Sequence, residues 1–230
     1  MVEWKRGPFN LFFSYLSLFR VFSLNLQINS SKPFFMLQFE LSPRSRYSFA
    51  DQARLAVEGG CGWIVIPAGE STDEALIEEA RPIADICRGS EVILTIADRP
   101  EVARELGIHG VYLTAASGLS PFKVRQDLGA EAIIGVEAAA ADSIRALEKM
   151  DIDYAVLAPT LSIEACEEII AAVRGAGGLI PIVMAYPPDM AAASEMMAHG
   201  ASGVLVSAPI ADADSPAEAT REYIKCLSKE

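Results

Sequence analysis

Asp98 and Arg99 stand where an apolar run meets a proline that opens a helix, in the stretch VILTIADRPEVA. An arginine beside a carboxylate keeps the acid ionised and oriented, so a cluster of Asp98, Arg99 and Glu137 could perform general acid and base chemistry. The structural alternative is that Asp98 and Arg99 only cap the following helix and form an ion pair at its start. The residues alone leave both interpretations open.

Other polar side chains also follow apolar runs. If these runs are parallel strands of one barrel, their carboxyl ends meet at a single face, where ligands and catalytic groups sit. We call this face the mouth. We expect it to hold, besides the cluster above, Glu70, Tyr112, Thr114, Tyr186 and Ser207.

Eight short apolar segments alternate with longer amphipathic ones from Met36 onward. The strand candidates are MLQFEL, GWIVIP, EVILTI, HGVYLT, EAIIGV, DYAVLA, LIPIVMA and SGVLVS. The segments between them have helical spacing of apolar residues, usually with glycine just past the end. The last helix begins with Ser215 as N-cap and proline after it. Strands that are apolar throughout need both faces covered, so the pattern predicts an α/β fold, a (β/α)8 TIM barrel. A doubly wound open sheet is the alternative; the even strand count and the compact repeat favour the barrel.

Composition limits the function classes. The chain has 230 residues, 51% of them hydrophobic, enough for one sizeable core, and a formal charge of -12. This charge makes nucleic acid and anionic membranes poor partners, but it does not exclude a small phosphorylated ligand held by local backbone N–H groups. The four cysteines form no CxxC pair and indicate reduced thiols in a cytoplasmic protein.

Residues 1–35 differ from the rest. They carry four basic side chains and one acidic one, a net charge of +3 that leaves -15 for the remainder. Arg20 interrupts their apolar run before the length of about 20 residues that a membrane span needs, and no A-x-A cleavage site follows. We expect 1–35 to be an amino-terminal extension outside the fold and 36–230 to be the barrel domain. Secretion or anchoring is the alternative.

The order of motifs resembles a known family. IADR, EVA and ELG, then HGVYL, AIIGVEA, DYAVLAP, IPIVMA and GASGVLVSAPI, are similar to the thiamine phosphate synthase and TenI-type thiazole tautomerase family, from Ser48 to Ile210. The resemblance implies a compact (β/α)8 barrel. It also implies the joining of a pyrimidine pyrophosphate to a thiazole phosphate, with Mg²⁺ on the pyrophosphate and Asp98 as a ligand of that metal.

The pyrophosphate and metal motifs depart from this family. Where the family has Gln-Leu-Arg-x-Lys after the second strand, the chain has Val65, Pro67 and Gly69 at the three polar positions. Two cations are therefore missing. Ala97 replaces an asparagine beside Asp98, and Ser117 replaces a second acidic magnesium ligand.

Other family positions also differ. Tyr112 stands in place of a histidine and Glu137 in place of a serine, while the lysine expected near SIEAC is absent. His109 should face the other side of its strand, because side chains alternate.

The phosphate end departs as well. A phosphate cradle after the seventh strand uses glycines whose N–H groups approach the ligand closely. Here Tyr186 is bulky, and Pro187 and Pro188 have no N–H to donate. Ser207 and Ala208, after the eighth strand, still match the phosphate loop.

The sequence therefore predicts a divergent family member that lacks efficient synthase activity. It is either a pseudoenzyme that binds a small molecule, thiazole- or pyrimidine-containing, or an enzyme with altered chemistry at the mouth. The catalytic candidates are Asp98, Arg99, Glu137 and Tyr112, and the phosphate-binding candidates are Ser207 and Ala208. Mg²⁺ is expected only if the protein is an active synthase, with Asp98 as its ligand. One alternative is an active thiamine phosphate synthase or thiazole tautomerase; another is a non-catalytic ligand-binding or interaction protein. The sequence does not specify an oligomeric state.

Overall fold

A computed structural model describes residues 37–228, so the predicted extension 1–35 lies outside the described residues. Eight parallel strands pair in chain order and close into a barrel as the eighth strand pairs with the first. The predicted TIM barrel is confirmed, and the open-sheet alternative is wrong. The strands are β1 Leu37–Glu40, β2 Trp63–Ile66, β3 Ile93–Ala97, β4 Gly110–Leu113, β5 Ile133–Ala138, β6 Tyr154–Leu157, β7 Ile182–Ala185 and β8 Gly203–Val206.

Helices surround the barrel, one after each of the first seven strands and two after β8. They are α1 Phe49–Glu58, α2 Asp73–Gly89, α3 Pro100–Leu106, α4 Pro121–Leu128, α5 Ala141–Lys149, α6 Ile163–Gly175, α7 Met190–Ala198, α8 Ala208–Ala211 and α9 Pro216–Leu227. Ser215 caps α9 as predicted, since its side chain accepts from the Glu218 N–H. The four-residue α8 was not predicted, because one turn of helix leaves no periodic pattern. No helix within 37–228 is long and apolar enough to cross a membrane.

The strands divide their side chains between two apolar layers. In β2, Ile64 and Ile66 pack outward against the helices, whereas Trp63 and Val65 belong to a separate cluster that fills the barrel lumen. The Tyr154 ring meets Trp63 edge-on at 5.2 Å and lies against the bare backbone of Gly135, where an added Cβ would come within 2.0 Å of it. The barrel interior is thus filled with apolar side chains below the polar groups of the mouth.

Arg125 forms hydrogen bonds that join elements at the end of the barrel opposite the mouth. Its guanidinium donates to the carbonyls of Asp151 and Ala132 and to the carboxylate of Asp153, which is 8% exposed. These residues precede β5 and β6, so Arg125 ties α4 to the amino ends of two strands. Groups at this end of a TIM barrel serve stability, because the chemistry takes place at the other end.

Candidate active site at the barrel mouth

Asp98 joins the ends of β3 and β4. Its backbone is left-handed, with φ of 56°, and its N–H donates to the Tyr112 carbonyl at 3.0 Å. Its two carboxylate oxygens accept from the N–H and the hydroxyl of Thr114, at 2.7 and 2.6 Å. The Asp98 carboxylate therefore binds the next strand's end, and these contacts stabilise a conformation that costs about 1–3 kcal/mol.

Arg99 turns away from the carboxylates. Its guanidinium donates to the carbonyls of Ala68, Gly69 and Ser71 and pairs with Asp73 at 3.5 Å. Within 37–228, no hydrogen bond or ion pair joins it to Asp98 or Glu137. The hypothesis of a three-membered acid–base cluster is therefore wrong for Arg99, because its guanidinium donates its hydrogen bonds to the carbonyls of the β2–α2 loop. Arg99 occupies the N-cap position of α3, but no side-chain hydrogen bond caps this helix.

Glu137 and Tyr112 lie together inside the mouth. The Tyr112 hydroxyl is 3.4 Å from Oε2 of Glu137, which also accepts from the Ala115 N–H at 3.2 Å. Burial raises the pKa of Tyr112 well above its usual value, and the neighbouring charge of Glu137 raises it further. Tyr112 is therefore a neutral phenol that donates a hydrogen bond.

Glu40, the last residue of β1, is a mouth residue that the sequence analysis missed. Its Oε2 accepts from the Tyr186 hydroxyl at 2.5 Å. Burial raises the pKa of Glu40, the bond from Tyr186 opposes this rise, and the charge of Asp98 adds to it. The missed signal is the alternation of Gln38 and Glu40 with apolar residues in LQFE, which places both in the lumen.

Tyr186 follows β7 with a left-handed φ of 49°. Its N–H donates to the Leu205 carbonyl at 2.7 Å, so this donor joins β7 to β8 and does not face the mouth. Only glycine adopts such a backbone at little steric cost. The chain thus keeps a backbone suited to glycine at this position while it carries a tyrosine whose hydroxyl binds Glu40.

Ser207 and Ala208 line a cavity of about 370 Å³ beside β8, together with Arg44, Tyr186 and Pro187. Ser207 precedes α8, and its side chain makes no capping hydrogen bond. Arg44, from the β1–α1 loop, was not predicted; its guanidinium has no partner among the described residues. One cation and the start of α8 therefore border this cavity.

The remaining predicted residues lie apart from these groups. Glu70 is exposed in the β2–α2 loop. The Ser117 hydroxyl donates to the Thr114 carbonyl at 2.8 Å. His109 lies at the amino end of β4, where its Nδ1 accepts from the Leu94 N–H at 3.0 Å and burial lowers its pKa.

The mouth does not fit a protein-held magnesium ion. Mg²⁺ requires near-octahedral oxygen ligands, and within residues 37–228 Asp98 has no two further acidic or histidine ligand atoms close enough to share an ion with it. In the described part of the chain, three Asp, Glu, His or Cys ligand atoms approach within 4.8 Å of one another only at Glu167, Glu195 and His199, which lie on α6, on α7 and directly after α7.

Comparisons with known proteins place this geometry in context. A family described as thiamine monophosphate synthase matches residues 41–210. A thiamine-phosphate synthase of Bacteroides fragilis is 29% identical over 200 residues, covering 82% of this chain and 98% of that protein. A homologue of the same name from Bacteroides thetaiotaomicron is 27% identical and covers 82% and 95%. A solved thiamine phosphate pyrophosphorylase from Pyrococcus furiosus superposes with a TM-score of 0.74 at 20% identity, covering 86% of this chain and 96% of that one, and so supports the fold.

Proposed function

The chain belongs to the thiamine monophosphate synthase family, and from that premise we propose that it binds a small ligand at the barrel mouth but lacks efficient synthase activity. The observation that carries the proposal is the lack of free positive charge, among the described residues, at the carboxyl ends of β2 and β3. Val65, Pro67 and Gly69 stand at the positions of the family's pyrophosphate motif, and Arg99 is bound to loop carbonyls. In the part of the chain that the structure describes, a pyrophosphate would meet no free cation at these positions.

The size of this loss supports the proposal. Hydrogen bonds to charged groups contribute about 1.5–3 kcal/mol each. The loss of two of them corresponds to about 10²–10⁴ in affinity or rate. The proposal involves no Mg²⁺, because the residues at the mouth do not form a site for it.

The β8 cavity supports the ligand-binding part of the proposal. Arg44, Ser207 and Ala208 border a space that a single small acidic group could enter. A thiazole- or pyrimidine-containing ligand with at most one phosphate is the proposed occupant. The cytoplasmic location and the absence of nucleic-acid and membrane partners stay predictions.

An active synthase is the second candidate. It is favoured by relatives that carry this name over almost their whole length and by the retained Asp98. A non-catalytic interaction protein is the candidate from another class.

A ligand screen separates the three candidates. A ligand that binds only the folded form raises the melting temperature. We expect thiazole phosphate to raise it and pyrimidine pyrophosphate with Mg²⁺ to leave it unchanged. Stabilisation by the pyrophosphate would favour the synthase, and no shift with either compound would favour the interaction protein.

A further inference from the structure

The side chain of Tyr186 extends across the end of a strand. In the barrel, β8 lies between β7 and β1. Tyr186 follows β7, and its hydroxyl donates to Oε2 of Glu40, the last residue of β1, at 2.5 Å. The side chain therefore crosses the carboxyl end of β8, where Ser207 precedes the short helix α8.

The two sides of Tyr186 face different spaces. On one side is the cavity of about 370 Å³, which Arg44 and Ser207 also line. On the other side is the interior of the mouth: burial raises the pKa of Tyr186, and the charges of Glu40 and Glu137 raise it further. In the described part of the chain, the cavity lining includes none of the interior groups, which are Glu40, Asp98, Tyr112 and Glu137. Tyr186 thus separates the cavity from the interior.

The contacts of Tyr186 maintain a backbone that its residue type disfavours. Its φ of 49° is left-handed, and it precedes Pro187, which favours an extended conformation in the residue before it. The Tyr186 N–H donates to the Leu205 carbonyl at 2.7 Å, and Pro187 is buried. Such a conformation persists only where the surrounding structure determines it. The bonds to Leu205 and Glu40 therefore keep the ring between the two spaces.

We propose that the hydrogen bond between Tyr186 and Glu40 is a latch that closes the passage between the β8 cavity and the interior of the mouth. A ligand with an acidic group in the cavity and a ring in the interior has to break this bond, which lowers its affinity. A small anion needs only the cavity and does not meet the latch. The inference rests on the proposed function and specifies how access to that site is controlled.

Calorimetric titration of the full chain with thiazole phosphate and with inorganic phosphate tests the latch. Tyr186→Phe removes the hydroxyl but keeps the ring and the charge of Glu40. It should raise the affinity for thiazole phosphate about tenfold, because binding no longer has to break a hydrogen bond to a carboxylate. The affinity for inorganic phosphate should stay unchanged. Tyr186→Gly suits the left-handed backbone and should raise the affinity for thiazole phosphate at least as much.

Two further variants are controls. The Tyr47 hydroxyl donates to the Asp214 carbonyl, and Tyr47 does not line the cavity, so Tyr47→Phe should leave both affinities unchanged. Glu40→Gln removes a charge as well as weakening the latch. A rise in affinity with Glu40→Gln but not with Tyr186→Phe would mean that charge repulsion limits binding, and would overturn the proposal. Denaturant unfolding of each variant checks that it folds.

The remaining outcomes separate the latch from the proposed function. Equal affinities of the unsubstituted chain and Tyr186→Phe for thiazole phosphate would overturn the latch and leave the proposed function standing. An equal rise for inorganic phosphate, or the same rise with Tyr47→Phe, would also overturn the latch. If thiazole phosphate binds to none of these proteins, the latch and the proposed ligand are both wrong. Synthase turnover contradicts the proposed function alone, whatever the affinities are.

Discussion

Within residues 37–228, Asp98 and Tyr186 are the two non-glycine residues of the mouth whose backbone is left-handed, at φ of 56° and 49°. Each stands directly after a strand, and each is held by a backbone bond to a neighbouring strand and by side-chain contacts across the mouth. Strain of this kind persists only where the surroundings over-determine it, and it clusters at functional sites. Left-handed backbones also occur at Glu91 and Asp151, ahead of β3 and β6, so the strain at the mouth is a reason to test these two residues and does not by itself identify a functional site.

Asp98 should contribute to stability through Thr114. Asp98→Ala removes two hydrogen bonds to a charged group and should cost about 3 kcal/mol of unfolding free energy. Asp98→Asn should cost about 1 kcal/mol, because asparagine tolerates the left-handed backbone and keeps one acceptor. Denaturant unfolding measures both. Two effects below about 0.5 kcal/mol would mean that Asp98 is an ordinary surface group at a helix start.

Glu40 should destabilise the protein at neutral pH. Its pKa is raised in the folded state, so folding takes up a proton, and stability falls as pH rises from the unfolded-state pKa through the raised one. The groups that face it are Asp98, Tyr112 and Tyr186. Glu40→Gln should therefore stabilise the protein by about 1 kcal/mol at pH 7, a gain that disappears in acid once Glu40 is protonated in both states. A gain that does not depend on pH would contradict this origin.

At the scale of residues, the sequence predicted which end of each strand carries the chemistry but not the partners. It placed Asp98, Tyr112 and Glu137 at the ends of strands, as found. It did not predict that Arg99 binds loop carbonyls, since a pattern of residue types does not show which main-chain carbonyls a side chain will reach.

Arg125 joins secondary-structure elements at the end of the barrel opposite the mouth. Arg125 of α4 is 10% exposed in its side chain and binds groups ahead of β5 and β6. The residue pattern did not indicate that one arginine holds α4 in place. The prediction of all eight strands succeeded because apolar runs bounded by glycine and polar residues are a strong signal.

Loss of Arg125 should be costly. Arg125→Met removes the guanidinium that pairs with the Asp153 carboxylate and should cost about 3–5 kcal/mol, as is usual for a broken buried pair. Arg145 pairs with Asp142 at the surface, so Arg145→Met should cost no more than about 0.5 kcal/mol. Thermal and denaturant unfolding measure both. Equal costs would mean that the contacts of Arg125 add nothing beyond those of a surface pair.

At the scale of the whole molecule, the chain has the (β/α)8 barrel fold of its family, and the proposed difference from the family lies in the charge of the mouth. Backbone geometry depends on the apolar pattern of strands and helices, which tolerates substitution at the ends of strands. The fold therefore does not determine the function, because function depends on the few residues at the mouth.

Residues 1–35 should be dispensable for the fold. A chain that begins at Met36 should unfold cooperatively at a melting temperature no lower than that of the full chain, because the composition of residues 1–35 sets them apart from the barrel sequence. Calorimetric melting curves of both chains compare them. Aggregation or an earlier transition of the shorter chain would show that the segment is part of the folded domain.

Synthase turnover tests the central claim most directly. The full chain and the Bacteroides fragilis thiamine-phosphate synthase would be assayed side by side with pyrimidine pyrophosphate, thiazole phosphate and Mg²⁺, and kcat/KM for thiamine phosphate formation would be measured. The missing cations predict a value about 10²–10⁴ lower for this chain. A value within about tenfold of the relative's, a difference of about 1.4 kcal/mol, would contradict the account.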